Sequence, residues 1–448
     1  MVYIDIYGIF RYNNDKAYCQ IVLKMNGDKL FIMDINKYSF TRFLYCILLC
    51  VCITGCSLQP GTEEPEVPKE SQMDTESPPE EATGMEYDEA VEAAADYMEN
   101  MTIEEKAGQL FIVNLELLDQ RNGNYYEWKK FTRKMKKSID KYHIGGVILF
   151  SRNIANRNQT KKLINQLKKN SAIPLFITVD EEGGDVARIA NNEKMGTTVF
   201  PTMEETGNTK NAAYVYDMGA TIGSEIKELG FNVDFAPVAD VKTSELNLEI
   251  GTRSFGGEPG KVAELVSAFV RGIQDQNVSA TLKHFPGQGS SNGDTHIESV
   301  NIDSSITSLR KNDFVPFESG IEAGADFVMV SHISVSKVTE TSQPASMSDL
   351  IMETILRDEL GFQGIIITDA MDMASITGNY TSAEAAYGAI SSGADIVLMP
   401  LDLEMAYNEV ISRINNGTIS RERLDASVLR ILTVKFMRGI MPAETYTK

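Results

Sequence analysis

Eight short apolar or β-branched runs recur between residues 110 and 399, with helix-patterned segments between them, and that alternation leaves few folds open. The runs lie at 110–113, 146–150, 175–179, 231–235, 280–282, 327–330, 364–367 and 396–399. A strand, a crossover and a second strand in this order call for parallel pairing with helices as the connections. The segment 261–274 is of the crossover type, with Val262, Leu265, Val266, Phe269 and Val270 at helical spacing. The expected fold class is α/β, a (β/α)8 TIM barrel with enlarged loops forming one catalytic domain over residues 89–445. Counting alone leaves a doubly wound open sheet as the other arrangement.

Barrel enzymes carry their chemistry where strands end and the following loops begin. Polar residues fall there repeatedly: Asp180 after the third run, Asp234 to Asp240 after the fourth, Lys283-His284 after the fifth, Ser331-His332 after the sixth and Thr368-Asp369 after the seventh. Any one of these could cap a strand; five together point to a ligand pocket. His332 is expected only to line it. His143 precedes the second run, which places it at the opposite, structural face. The densest loop is Lys283-His-Phe-Pro-Gly-Gln-Gly-Ser-Ser-Asn-Gly-Asp-Thr-His296. Gly287, Gly289 and Gly293 are expected to supply positive φ and close backbone approach, folding the loop over a ligand. Asp294 and His296, two apart, can meet side chain to side chain, fixing the imidazole tautomer and making a proton shuttle.

The first 88 residues read differently. Residues 43–55 are a short apolar run with Lys37 and Arg42 before it and Cys56 after it, closer to a signal-peptide core than to the roughly 20 apolar residues of a spanning helix. Ile53-Thr-Gly-Cys56 resembles a bacterial lipobox, which makes Cys56 the expected lipidation site and residues 1–56 an upstream segment plus lipoprotein signal. A true start at Met25 or Met33 would account for the length preceding it. Residues 57–88 are an expected disordered tether, rich in Pro, Glu, Ser and Thr. Eleven acidic side chains against Lys69 alone in residues 57–90 supply nearly half of the net charge of −21, which argues against nucleic-acid binding. The five cysteines all lie at or before position 56, so thiol chemistry and thiolate metal sites are excluded from the catalytic part.

The loop from Lys283 to His296 closely resembles the signature of glycoside hydrolase family 3, in its β-N-acetylglucosaminidase branch. The resemblance continues in Met101 to Phe111, Val179-Asp-Glu-Glu-Gly-Gly184, Asp234 to Val241, Arg253-Ser-Phe-Gly256, Pro344 to Ser348, Gly361 to Met371 and Gly393 to Pro400, covering about residues 95 to 440. It implies a retaining exo-β-N-acetylglucosaminidase in which Asp369 is the nucleophile and His296, oriented by Asp294, is the acid/base. That pairing suits hydrolysis through a glycosyl-enzyme ester. Asp372 is the competing nucleophile. Asp180, Arg188, Arg253, Lys283 and His284 match family positions that bind the terminal sugar's hydroxyls and N-acetyl group, work that charge-assisted hydrogen bonds do well. The short stretch after the eighth run favours this histidine mechanism over a glutamate drawn from a second domain.

The sequence departs from the family pattern at Gln288, where histidine is common, at Ser290, where aspartate is frequent, and at Asp185, where arginine usually follows the two glycines. These bear on leaving-group preference rather than on reaction type. The expected substrate is a GlcNAc-containing glycan, with peptidoglycan fragments outside the cytoplasmic membrane foremost. The protein is expected to be a monomer, to touch the membrane only through its lipid anchor, to bind no nucleic acid and to need no cofactor. Alternatives are a phosphorylase of the same glycosides, favoured if a neutral imidazole lets phosphate approach, and a β-glucosidase-like activity. A metal-dependent barrel hydrolase is weakened by a first strand without paired histidines. A lipid-anchored sugar-binding protein would use the same tether and pocket.

Overall fold

The computed structural model describes residues 4–13, 16–25, 29–36, 84–120 and 127–442, in two units divided after Pro78. In the first, strands Ile4–Asn13, Lys16–Met25 and Lys29–Asn36 form an antiparallel meander. The expected signal segment, Cys56 and the tether as far as residue 83 lie outside the described residues. Among the described residues no helix is long and apolar enough to cross a membrane.

The second unit is a closed barrel. Its strands are β1 (Phe111–Asn114), β2 (Gly146–Ile148), β3 (Phe176–Val179), β4 (Val233–Asp234), β5 (Ser279–Phe285), β6 (Phe327–Val330), β7 (Ile365–Ala370) and β8 (Ile396–Leu398). Each pairs in parallel with the next, and β8 closes on β1. The open sheet is thereby excluded. Several strand limits differ from the sequence expectation, the seventh strand for one running on to Ala370. The second strand stops at Ile148, because Phe150 turns out of the core to start a short 3-10 turn and carries Arg152 on its ring face at 4.1 Å. The fourth shrinks to two residues, since Asn232 bonds Ile177 N–H and the Leu175 carbonyl with its side chain. The fifth runs on to Phe285, and its pairing with β6 shifts between Lys283 and Phe285. Such an irregularity re-aims side chains at a strand end.

Helices wrap the barrel. Helix α1 (Tyr87–Glu99) buries Ala90, Ala93 and Ala94, and α2 (Ile103–Gln109) begins at a capping box between Thr102 and Glu105. Helix α3 (Pro259–Gln274) is the crossover anticipated at 261–274, with Pro259 in its first turn and Glu258 capping Gly260 and Lys261. Helices α4 (Phe314–Glu322) and α5 (Arg421–Met437) follow later in the chain. The last two residues allotted to the tether, Tyr87 and Asp88, are helical instead. The small residues of α1 and Tyr97 give that segment one apolar face, and Tyr97 meets Phe436 of α5 edge to face at 6.4 Å.

The floor of the barrel is structural. Lys435 donates to Gln109 Oε1 at 2.7 Å and to the Gly145 carbonyl at 3.1 Å, and burial pulls its ammonium down to about 7. His143 sits at this end in a left-handed conformation (φ 48°), its carbonyl taking the Gln109 amide at 2.8 Å. Asp395, at the start of β8, is gripped by Arg357, Arg430 at 3.1 Å and Ser427 at 2.6 Å. The functional face is therefore the other one.

Candidate active site

An extended backbone sends alternate side chains to opposite sides, and the residues after β3 use this. Asp180 and Glu182 both turn to Lys283, whose ammonium lies 3.0 Å from Asp180 Oδ1 and 2.6 Å from Glu182 Oε1. Glu181, between them, turns away and accepts from the N–H groups of Ile189 and Ala190. Arg253 makes a bidentate pair with Glu182 at 2.9 and 2.8 Å. Burial alone would raise Glu182, yet the two cations outweigh it and hold the carboxyl below its ordinary range. His284 stands beside this cluster, its Nε2 at 3.4 Å from Arg253 Nη2. Its Nδ1 is 2.7 Å from Asp240, which also accepts from the backbone N–H groups of His284 and Gln288. Arg188 is the loosest member: its guanidinium approaches Asp180 only to 3.6 Å and is about a third exposed.

Asp369 lies near the end of β7 with Oδ1 accepting from the Ala370 N–H at 2.7 Å. Burial raises it, but the imidazoles of His284 and His332, the Ala370 N–H and Lys283 outweigh that effect, so its carboxyl is held below the ordinary range. Asp372 has the opposite balance. Burial, with Asp369 nearby, lifts it to about 6 against the pull of Arg152 and His296. Of the two, Asp369 is the better anionic nucleophile. His332 is buried behind it, with Nδ1 at 2.8 Å from Ser346 Oγ and Nε2 at 2.9 Å from the Ala370 carbonyl. Both nitrogens are engaged, and burial lowers the group, so it lines and supports the pocket.

The loop ending in His296 turns towards β7: Ser375 N–H, in the turn after Asp369, donates to the Thr295 carbonyl at 3.3 Å. Asp294 Oδ1 accepts from His296 Nδ1 at 3.0 Å and from the His296 N–H at 2.9 Å. His296 is 62% exposed. Hydrogen bonding to Glu249, against some burial, with further pull from Asp294 and Asp369, raises the imidazole to about 9. Of the three loop glycines only Gly287 has positive φ (113°). Gly289 is needed for close approach instead, since a Cβ there would stand 1.9 Å from the Val241 carbonyl oxygen.

The residues expected in the pocket are thus at one end of the barrel. The departures from the family pattern also have local roles or surroundings. Gln288 anchors the loop through its backbone, with its N–H on Asp240 at 2.6 Å and its carbonyl taking Asn247 at 2.7 Å. Asp185 accepts from Thr252, and the Ser290 hydroxyl is buried.

The sequence reading missed Glu182 and Glu249 as site members, and placed Asp240 at the pocket only as the end of the run after the fourth strand, with no role. Glu182 was legible from the two-residue period after β3, and Asp240 from its place beyond β4. Glu249 carried no signal: it lies among Leu246, Leu248 and Ile250, far before the loop it binds. Glu249, Asp294 and His296 bring polar atoms within 4.8 Å of one another, a closeness their hydrogen bonds account for.

Comparison with known proteins gives this geometry a context. Residues 102–434 match the family model of the glycosyl hydrolase family 3 N terminal domain. The beta-hexosaminidase A of Pseudoalteromonas piscicida is 33% identical over 327 residues, which are 67% of this chain and 55% of that protein. A beta-hexosaminidase of Stenotrophomonas maltophilia is 34% identical over 262 residues, 57% of this chain and 76% of its own. Among solved structures, a glycoside hydrolase family 3 beta-N-acetylglucosaminidase from a Paenibacillus species superposes with a TM-score of 0.71 at 34% identity, covering 76% of this chain and 63% of that one. The chain thus spans just over half the length of the Pseudoalteromonas relative. With the match extending from α2 to α5 and enclosing the whole barrel, the chain belongs to glycosyl hydrolase family 3, as its N-terminal-domain type.

Proposed function

We propose that the chain is a retaining exo-β-N-acetylglucosaminidase that removes terminal GlcNAc from peptidoglycan fragments or related oligosaccharides. The observation that carries this reading is a carboxylate near the end of β7, Asp369, at the same barrel mouth as an imidazole, His296, which Asp294 orients at 3.0 Å and whose loop is tied to the turn after β7 through Thr295 and Ser375. The names borne by the relatives supply the sugar class. The cluster of Asp180, Glu182, Lys283, Arg253 and His284 offers both acceptors and donors to a terminal sugar's hydroxyl and N-acetyl groups, with Arg188 at its edge.

In the first step an Asp369 oxygen bonds to the anomeric carbon as the glycosidic bond breaks, and His296 gives its Nε2 proton to the departing oxygen. Asp294 holds the Nδ1 side so that Nε2 is the working atom. In the second step water attacks the anomeric carbon, His296 takes the water's proton, and Asp369 leaves as carboxylate. Esterification removes the Asp369 charge, one of the influences that raise His296. The imidazole therefore binds its proton less tightly when it must act as a base.

Phosphorolysis would put inorganic phosphate in the place of water. Two carboxylates, Glu249 and Asp294, flank the imidazole and oppose an incoming anion. The first-formed sugar followed by NMR should be the β anomer, and added phosphate should yield no sugar-1-phosphate. An α first product would refute the double displacement, and sugar-1-phosphate would move the reaction to the phosphorylase reading.

We place the enzyme at the outer face of a bacterial cytoplasmic membrane, tethered through Cys56. Ile53 to Cys56 and the acidic spacer that follows support this. Cys56→Ala is expected to move activity from the membrane fraction to the soluble one, and retention in the membrane would exclude the lipid anchor.

A further inference from the structure

A carboxylate that takes no part in the bond-making steps, yet lies 3.3 Å from the proposed acid/base, is Glu249. Its side chain is 5% exposed, although it comes from a loop beyond β4 and not from the acid/base loop. Its two oxygens are fully committed to the neighbouring loop: Oε1 accepts from Thr295 Oγ1 at 2.5 Å and Oε2 from the Thr295 N–H at 3.1 Å. Oε1 also lies 3.3 Å from His296 Nδ1, so that nitrogen faces two carboxylates, with Asp294 at 3.0 Å. The Glu249 backbone is used as well. Its carbonyl accepts from Arg253 Nη1 at 3.1 Å, and the same guanidinium is paired with Glu182 and borders His284. One residue therefore touches both the sugar-binding cluster and the proton donor.

The loop around Glu249 strengthens the link. Asn247 donates to the Gln288 carbonyl at 2.7 Å, Thr243 N–H to the Gly289 carbonyl at 3.2 Å, and Ser244 Oγ to Asn292 at 2.5 Å. Together with the Thr295 contacts these ties run the length of the glycine-rich loop. Of them, only the Glu249 contact delivers a charge to the imidazole.

We propose that Glu249 is a positioning residue for the acid/base: a buried carboxylate that fixes the Nδ1 side of His296, keeps the imidazole charged before substrate arrives, and couples its loop to the arginine of the sugar-binding cluster. This rests on the assignment of His296 as acid/base. The charged groups facing the imidazole are Glu249, Asp294, Asp369 and Asp372, from three separate segments. Asp369 loses its charge on esterification; Glu249 keeps its own through the cycle. It therefore sets the base level from which Asp369 modulates the proton affinity.

The test is Glu249→Gln, which keeps the shape and an oxygen for Thr295 but removes the charge. An opposite charge at this range shifts a titration by about 1–3 units. The chain has four histidines, so the His296 imidazole can be followed by NMR and assigned by its loss in His296→Ala. In the glutamine variant it should titrate about 1–2 units lower, and the alkaline limb of kcat/KM for a GlcNAc oligosaccharide should move down with it. An aryl glycoside whose leaving group departs without a proton should lose less of its first-step rate than the oligosaccharide does. A merely structural role would slow both substrates alike and leave the limb in place. An unchanged His296 titration in a folded Glu249→Gln protein overturns the proposal. A titration that shifts while the alkaline limb stays would support the Glu249 contact and overturn the acid/base assignment of His296.

Discussion

Asp369→Asn is expected to lower kcat by about 10⁴-fold or more, the scale seen when a covalent nucleophile is removed. The amide retains the shape of the carboxyl and an oxygen for the Ala370 N–H, so the loss reads chemistry rather than folding. What disappears is the anion that burial disfavours and the surrounding His284, His332 and Lys283 restore. Asp372→Asn provides the contrast. Its carboxyl, lifted to about 6 by burial beside Asp369, lies beyond the end of β7, and its replacement should cost less than about tenfold. Removing Asp369 to alanine adds a positive readout. Azide admitted to the vacated space can attack the anomeric carbon of an aryl glycoside from the same face. The leaving phenolate departs, and the product is an α-glycosyl azide, opposite in configuration to the substrate. Full turnover in Asp369→Asn, or a larger loss in Asp372→Asn, would assign the nucleophile to the wrong carboxylate.

Much of this arrangement was legible from residue pattern, and the exceptions have physical causes. The eight strands announce themselves because both faces of a parallel barrel strand are covered, which makes short apolar runs such as Gly-Ile-Ile-Ile-Thr before Asp369. Their limits were less accessible, since side chains can take over ladder bonds, as Asn232 does, or leave the core early, as Phe150 does. Asp294 and His296 were readable as a pair because they are neighbours in the chain. Asp180 with Lys283 is a contact between residues 103 apart, which a resemblance could suggest but no local period could show. Glu249 marks the limit. A glutamate amid exposed Leu246 and Leu248 looks like solvated loop, and only the return of the glycine-rich loop over it buries the carboxylate. Glycine was a similar case: three of them in the loop pointed to positive φ and close approach without saying which does which, and Gly287 takes the first while Gly289 makes room for the Val241 backbone.

Lys283→Met should be the second most damaging change at the mouth, through binding and charge rather than through bond-making. Its ammonium is the shared partner of Asp180 and Glu182 and one of the charges that keep Asp369 ionised. Truncating one partner of a buried, hydrogen-bonded charge pair costs about 2–5 kcal/mol. A fall in kcat/KM of about 10²–10³-fold is the corresponding expectation. Two pH effects separate this loss from simple misfolding. Asp369 must be ionised to attack, and removing a neighbouring cation raises its folded value. The acid limb of kcat/KM should therefore move to higher pH in the variant. Glu182, whose folded value is depressed, contributes stability that is present above its unfolded pKa and lost as pH falls through the folded one. With Lys283 gone that depression shrinks, although Arg253 still pairs with the carboxylate. The melting-temperature deficit of Lys283→Met should accordingly be full near about pH 7 and narrow only as pH falls below the ordinary carboxylate range towards the depressed folded value of Glu182. A deficit that is constant across that span, with an unmoved acid limb, would mean that Lys283 fills space between the carboxylates without setting their charge.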